Sequence, residues 1–276
     1  MTITKSAEYK FTRLADGKKQ RTTSLAELMN REKIAAQTWL FVSPHDDDLC
    51  VGAGMLMQAA VQSGVNVQVL VVTDGCMGYC HEDQQDSIID IRKKETFESF
   101  KVLGIPEKNV TYIGYPDGGL TNYYGRRLAK PGEASIEGYV GLENSFTYYL
   151  RKSKANRVFV PTQTDLHPDH QITNRELMIS LFHAQGAIWP ELGAPLAEVP
   201  KLIELAVYCP FSDIPNLEII GNEVAFETKL ASIDAYRSQV QIASVVAGLR
   251  KAGPYEYLRE FEFQLFSPEI YKGLFE

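Results

Sequence analysis

Long apolar runs are missing from this 276-residue chain. The longest, VNVQVLVV at 65–72, is far too short to span a bilayer. The first twenty residues, MTITKSAEYKFTRLADGKKQ, contain no apolar core of the secretory kind, so a cytoplasmic chain without a membrane partner is expected. Cysteine is scarce: Cys50, Cys76, Cys80 and Cys209 are the four present, and in that compartment they read as reduced thiols. Cys76 and Cys80 stand before His81 in a loose CxxxC, but no second Cys/His pair follows to complete a structural zinc site. A basic excess is also lacking. Twenty-eight Lys and Arg stand against 35 Asp and Glu, a net charge of −7, which argues against a nucleic acid as the main partner. Internal repeats and low-complexity linkers are absent, and no GxGxxG follows a strand.

What is present is alternation. TWLFVS (38–43), NVQVLVVT (66–73), NVTYIGY (109–115), RVFVP (157–161) and LIELAVYC (202–209) read as strands. Helical stretches are expected at 50–63, 86–104, 141–154, 168–183 and 223–249. Apolar strands alternating with helices predict an α/β fold, a mostly parallel central sheet covered on both faces, and a single domain over 1–276. Residues 1–36 form an N-terminal extension in which Ser24 and Glu27 resemble a capping box, predicting a helix over about 24–34. Two Gly-, Pro- and aromatic-rich insertions, near 118–140 and 184–200, break the alternation and read either as lids over a site or as surface loops.

Ligands of a parallel sheet bind beyond the carboxyl ends of its strands. Those ends here read His45-Asp46-Asp47-Asp48, Thr73-Asp74-Gly75, Pro116-Asp117-Gly118 and Asp165-Leu-His167-Pro-Asp169-His170. Adjacent carboxylates about 4 Å apart repel by about 4 kcal/mol at an effective dielectric near 20, so three in a row call for a cation or a shared proton. Three of only five histidines lie beside these acids. Two imidazoles and a carboxylate suit Zn²⁺ with an open position, and the same set also suits Fe(II).

These residues resemble the LmbE/PIG-L family of zinc-dependent N-acetylglucosaminyl deacetylases. Its first motif, His-Pro-Asp-Asp-Glu, is matched by His45-Asp46-Asp47-Asp48-Leu49, and its second, His-Pro-Asp-His, stands intact at 167–170. Thr73-Asp74-Gly75, Arg92-x-x-Glu95, Pro116-Asp117-Gly118 and the helix KLASIDAYRSQ (229–239) follow the family's order, so the resemblance covers roughly 38–240. It implies a Rossmann-like three-layer sandwich and one Zn²⁺ held by His45, Asp48 and His170. Asp47 would be general base, and His167, oriented by Asp169, would stabilise the oxyanion. Arg92, Asp117 and Tyr124 would contact substrate. Asp46 and Leu49 replace the family's Pro and Glu, altering the turn around the metal.

The implied reaction is hydrolysis of an N-acetyl group on an amino sugar. The altered motif and the aromatic insertion suggest a soluble pseudo-oligosaccharide of antibiotic biosynthesis, an N-acetylated aminoglycoside precursor such as 2'-N-acetylparomamine. Two other classes remain: an Fe(II) enzyme with two histidines and one carboxylate, and a non-catalytic Rossmann-like sugar- or nucleotide-binding module. Oligomeric state is not legible.

Overall fold

The structure, a computed structural model, describes residues 6–15, 17–31, 33–263 and 267–276. The chain opens with β1 (Tyr9–Ala15), β2 (Lys18–Thr22) and the short α1 (Leu25–Leu28). The alternating region follows with β3 (Thr38–Ser43), α2 (Asp48–Gln62), β4 (Asn66–Thr73), α3 (Ile88–Val102) and β5 (Val110–Tyr115). A two-stranded ribbon, β6 (Arg127–Leu128) and β7 (Tyr139–Val140), precedes α4 (Leu142–Ser153), β8 (Arg157–Pro161) and α5 (Pro168–Gln185). The last third carries β9 (Lys201–Leu205), β10 (Leu217–Gly221), α6 (Glu223–Asp234), α7 (Ile242–Ala252), β11 (Tyr255–Phe261) and α8 (Glu269–Lys272).

Nine strands form one sheet in the order β2-β1-β10-β11-β9-β8-β3-β4-β5. From β9 to β5 every neighbour is parallel; from β2 to β9 every neighbour is antiparallel. The parallel half is buried on both faces, which explains its unbroken apolar strands. Along β3, Trp39 and Phe41 join one core while Leu40 and Val42 join the other. Phe41 stacks on Phe159 of β8 at 4.2 Å between ring centroids. Helices α2 and α6 cover the first core, and α4 and α5 cover the second.

The antiparallel half differs from the expected pattern. The extension supplies two strands as well as a helix, and the helix is only four residues long. Ser24 does cap it, accepting from the Glu27 amide at 3.3 Å, but the Glu27 carboxylate bonds to the Thr22 hydroxyl instead of closing the box. The Ser24 amide donates to Thr22 Oγ1 at 2.9 Å. The expected helix over 223–249 is two helices, α6 and α7, separated at 235–241, and two further strands flank the pair.

Helix α2 is broken at Ala53, whose φ and ψ are −147° and 20°. The amides freed by the break, Met55 N–H and Leu56 N–H, donate to the two oxygens of Glu256 at 2.8 and 2.9 Å. The Lys229 ammonium, 2% exposed, donates to the same carboxylate at 2.8 Å. A second helix start is thus capped by a buried acid that is itself neutralised.

Candidate metal centre and the acids around it

β3, β4, β5 and β8 lie side by side and parallel, so their following loops share one rim. The loop after β3 turns sharply into α2, with Asp47 at the N-cap and Asp48 as the first helical residue. A helix amino terminus favours negative charge, which suits acids at this turn. Across the rim, α5 starts at Pro168, where a missing N–H costs nothing, and His167 is its N-cap.

The three consecutive aspartates face three directions. Asp46 is 3% exposed and turns to Arg92, which donates from Nε to Oδ2 at 3.1 Å and from Nη2 to Oδ1. Thr96 Oγ1–H adds a bond to Asp46 Oδ2 at 3.1 Å, and Tyr236 O–H donates to the Asp46 carbonyl at 2.6 Å. Asp48 is buried against two histidines: its Oδ2 lies 3.3 Å from His45 Nδ1 and 3.1 Å from His170 Nε2. Only Asp47 reaches outward, with 15% of its side chain exposed against 3% and 1% for its neighbours. Burial pushes the Asp47 carboxyl above its ordinary pKa, opposed by Arg92 and reinforced by Asp48. Asp46 is pushed up to about 6 by burial, against the pull of Arg92.

The donor set fits a tetrahedral metal. His45 Nδ1 and His170 Nε2 are 3.1 Å apart, so with Asp48 Oδ2 they close a triangle of 3.1, 3.1 and 3.3 Å. Zinc bonds of 2.0–2.1 Å in a tetrahedron set neighbouring donors about 3.3 Å apart. His45 Nε2, Asp48 Oδ1 and His170 Nδ1 are buried without a hydrogen-bond partner, polar atoms that a metal centre would orient and polarise. Around the ring, His45 Nε2 lies 3.2 Å from Asp117 and 3.5 Å from Asp169, and His170 Nδ1 lies 3.3 Å from Asp165. Carboxylates behind metal-binding imidazoles raise their basicity and hold their rings. Two other donor groupings exist, His45 with His167 and His170, and His45 with Asp117 and Asp169. The first replaces a carboxylate by a third imidazole, and the second uses the opposite nitrogen of His45.

His167 stands at the edge of the triangle, its ring 4.5 Å from that of His45. Its Nδ1 accepts the Asp169 amide at 3.2 Å, which leaves the proton of the neutral ring on Nε2. Burial and then the neighbouring His45 and His170 lower its pKa, favouring that neutral form. The Asp169 carboxylate does not pair with this ring. It accepts the Gly118 amide at 2.8 Å and faces His45, so the contact of Asp169 with His167 is through its backbone amide.

Arg92, expected among substrate contacts, is 4% exposed and committed to Asp46. The loop after β4 lies over it: a Cβ on Gly78 would collide with Arg92 Nη1. Asp117 is near the centre, and the His45 proton and charge lower its carboxyl despite burial. Tyr124 is 46% exposed at the start of the first insertion. Asp165, Tyr236 and Tyr208, whose ring stacks on His170 at 5.1 Å, belong to the surroundings of the site but were not singled out from the sequence. Asp165 stands five residues before the suspected ligand His170, in the same strand-end segment, and was legible in principle; the tyrosines arrive from distant segments.

Residues 40–180, half of the chain, match the family described as PIG-L, GlcNAc-PI de-N-acetylase. The chain belongs to the PIG-L family. The PIG-L chain is 26% identical over 136 residues to the diacetylchitobiose deacetylase of Thermococcus kodakarensis, a match covering 48% of this chain and 44% of that protein. It therefore spans less than half the length of that curated relative. The N,N'-diacetylchitobiose deacetylase of Pyrococcus horikoshii superposes with a TM-score of 0.64 at 24% identity, over 86% of this chain and 88% of that one. GalB, the 4-carboxy-2-hydroxymuconate hydratase of Pseudomonas putida KT2440, superposes at 0.62 with 15% identity, over 84% and 98%. A deacetylase and a hydratase share this fold, so the reaction has to be argued from the site. No helix among the described residues is long and apolar enough to cross a membrane.

Proposed function

We propose that this PIG-L protein is a zinc-dependent hydrolase that removes the N-acetyl group from an N-acetylglucosamine-type sugar. The observation that carries the reading is the division of labour among Asp46, Asp47 and Asp48: one bound to arginine, one at the donor triangle, one open to solvent beside it. A structural metal site has no use for an unliganded acid at its open side; a hydrolase does.

His45, Asp48 and His170 would hold the zinc, which when bound polarises an acyl carbonyl and lowers the pKa of water toward ~7. Asp47 takes a proton from the attacking water as its oxygen bonds to the acetyl carbon. His167 Nε2–H donates to the oxygen that gains charge. The C–N bond then breaks, Asp47 returns its proton to the amine nitrogen, and acetate departs. The raised Asp47 carboxyl suits an acid that must both accept and release a proton. Asp117 would meet a sugar hydroxyl, and Tyr124 would pack on the sugar from the insertion.

Acids around the centre favour a substrate whose product is a cationic amine, and an N-acetylated aminoglycoside precursor such as 2'-N-acetylparomamine is the specific candidate. Metal analysis of the purified protein, paired with acetate release from N-acetylglucosamine glycosides and N-acetylated aminoglycosides, tests the whole reading. Zinc near one equivalent with acetate released supports it. Zinc without release would remove the acetyl-sugar assignment; iron would return the two-histidine, one-carboxylate alternative; failure to take up any metal would overturn the site.

A further inference from the structure

A cavity of about 480 Å³ opens at the amino-terminal edge of β8 and β9, the end of the sheet opposite the acids. Its wall carries five cations, Arg31, Arg151, Lys154, Arg157 and Lys201, against one acid, Glu198. In a chain of net charge −7 such a concentration is out of character. Among the described residues, Arg31, Lys154, Arg157 and Lys201 take part in no ion pair.

Arg157 makes the imbalance costly. It is 2% exposed, and its Nη1 and Nη2 donate to Gln37 Oε1 at 2.8 Å and the Met29 carbonyl at 2.6 Å. Its Nε is buried with no partner. A buried donor without an acceptor and a buried charge without a counter-charge are both unfavourable. Burial lowers the Arg157 pKa to about 10; Glu260 opposes that, but Glu260 is already bound to Arg13 at 2.6 Å. Arg157 is moreover the register partner of Lys201 on the adjoining parallel strand. Like charges placed side by side on neighbouring strands repel.

Arg151 adds charge from a different direction. Its guanidinium is 4% exposed and donates only to main-chain carbonyls, those of His183, Ala184, Gly186, Ile188, Trp189 and Gly193. Dipoles satisfy its donors; the one carboxylate that acts on its charge, Glu191, makes no direct ion pair with it and is bound to Arg126. The remaining wall, with Pro195, Leu196 and Val199 of the second insertion, is apolar.

We propose that this cavity binds a small phosphate-bearing molecule. Its phosphoryl oxygens would sit between Lys154 and Lys201, in the field of the buried Arg157 charge behind them, and its organic body against the apolar wall. Phosphate fits better than a carboxylate because several oxygens and more than one charge can meet two ammonium groups from different segments beside a buried cation. The site is independent of the metal centre and of the reaction proposed there.

Equilibrium dialysis of radiolabelled inorganic phosphate against the zinc-loaded protein, with ionic strength held constant by chloride, is the direct test. Saturable binding is expected, weakened at least tenfold in the Lys154→Asn/Lys201→Gln double variant. Asn tolerates the left-handed backbone of Lys154, whose φ is 52°, and both side chains are exposed, so the variant should fold. The Arg157 Nε–H resonance should move on phosphate addition in the parent protein. Binding that is absent at constant ionic strength, unchanged in the double variant, or matched by acetate at equal concentration would overturn the proposal.

Discussion

At the scale of single residues, neighbours in sequence do different work because the turn after β3 aims them apart. Asp47 and Asp48 differ by one position, yet one is the open acid and the other is wedged between two imidazoles. Asp47→Asn keeps the shape and removes the proposed base. Turnover should be abolished while zinc content stays near that of the parent; loss of zinc along with activity would make Asp47 a ligand. Arg92 acts at one remove. By gripping Asp46 it fixes the turn that carries Asp47, and its Nη2 lies 3.4 Å from Asp47 Oδ1. Arg92→Lys loses the paired bonds to Asp46, and kcat should fall about 10- to 100-fold. Because Arg92 is buried, KM should move little; a change confined to KM would show instead that it touches substrate.

At the scale of elements, two arrangements hold the site without entering it. The first is the break in α2. Replacing Glu256 by Gln leaves the Lys229 ammonium buried beside a neutral amide and gives the freed helix amides a poorer cap. A loss of about 3–5 kcal/mol is expected in urea denaturation, the range for stranding one member of a buried pair. A change under 1 kcal/mol would mean that the interior relaxes around the lysine. The second arrangement joins the insertions. Arg126 lies over the Tyr139 ring at 3.4 Å and the Trp189 ring at 4.6 Å, and it bonds Asn144 at 2.8 Å and Glu191. The two irregular segments thus brace each other, and Arg126→Ala should speed proteolytic cleavage within both. Cleavage in only one would argue that each stands alone.

At the scale of the whole molecule, a metal held at the His45–Asp48–His170 triangle would be linked to the pH dependence of stability. Burial opposes charge on His45, yet Asp48, Asp117 and Asp169 raise its pKa well above the ordinary value in the metal-free protein. Asp48, despite burial, is held below the carboxylate range by His170 and His45. A histidine raised on folding stabilises fully below its unfolded pKa of about 6.5 and loses that contribution as pH rises through the folded value. An aspartate depressed on folding stabilises above about 3.9 and loses that contribution on acidification. The stripped protein therefore gains from this pairing between about pH 4 and 6.5 and less above it. Zinc held there would compete with those same protons, so its contribution would grow with pH. The gap in Tm between zinc-loaded and stripped protein should widen from about pH 6 to 8. A gap that narrows would place the metal on other donors.

The parallel half was legible from the sequence because its strands, 38–43, 66–73 and 157–161, are buried on both faces and their composition reports it directly. Helix punctuation was equally local: Pro168 opens α5 where expected. The candidate donors His45, Asp48 and His170 stood out in the sequence because histidine is rare here and clusters at strand ends. β1 and β2 were not. β2 is a charged edge strand, and β1 pairs with β10 about two hundred residues away, so neither announces itself in its own periodicity. The same holds for Asp46. Its sequence shows only a third acid; that it faces Arg92 depends on α3 packing beside α2. Composition and periodicity determine which stretches must be buried and where chemistry can gather. Which carboxylate meets the arginine, which meets the histidines and which stays open is decided only when distant segments close around the turn, because charge compensation is a property of neighbours in space.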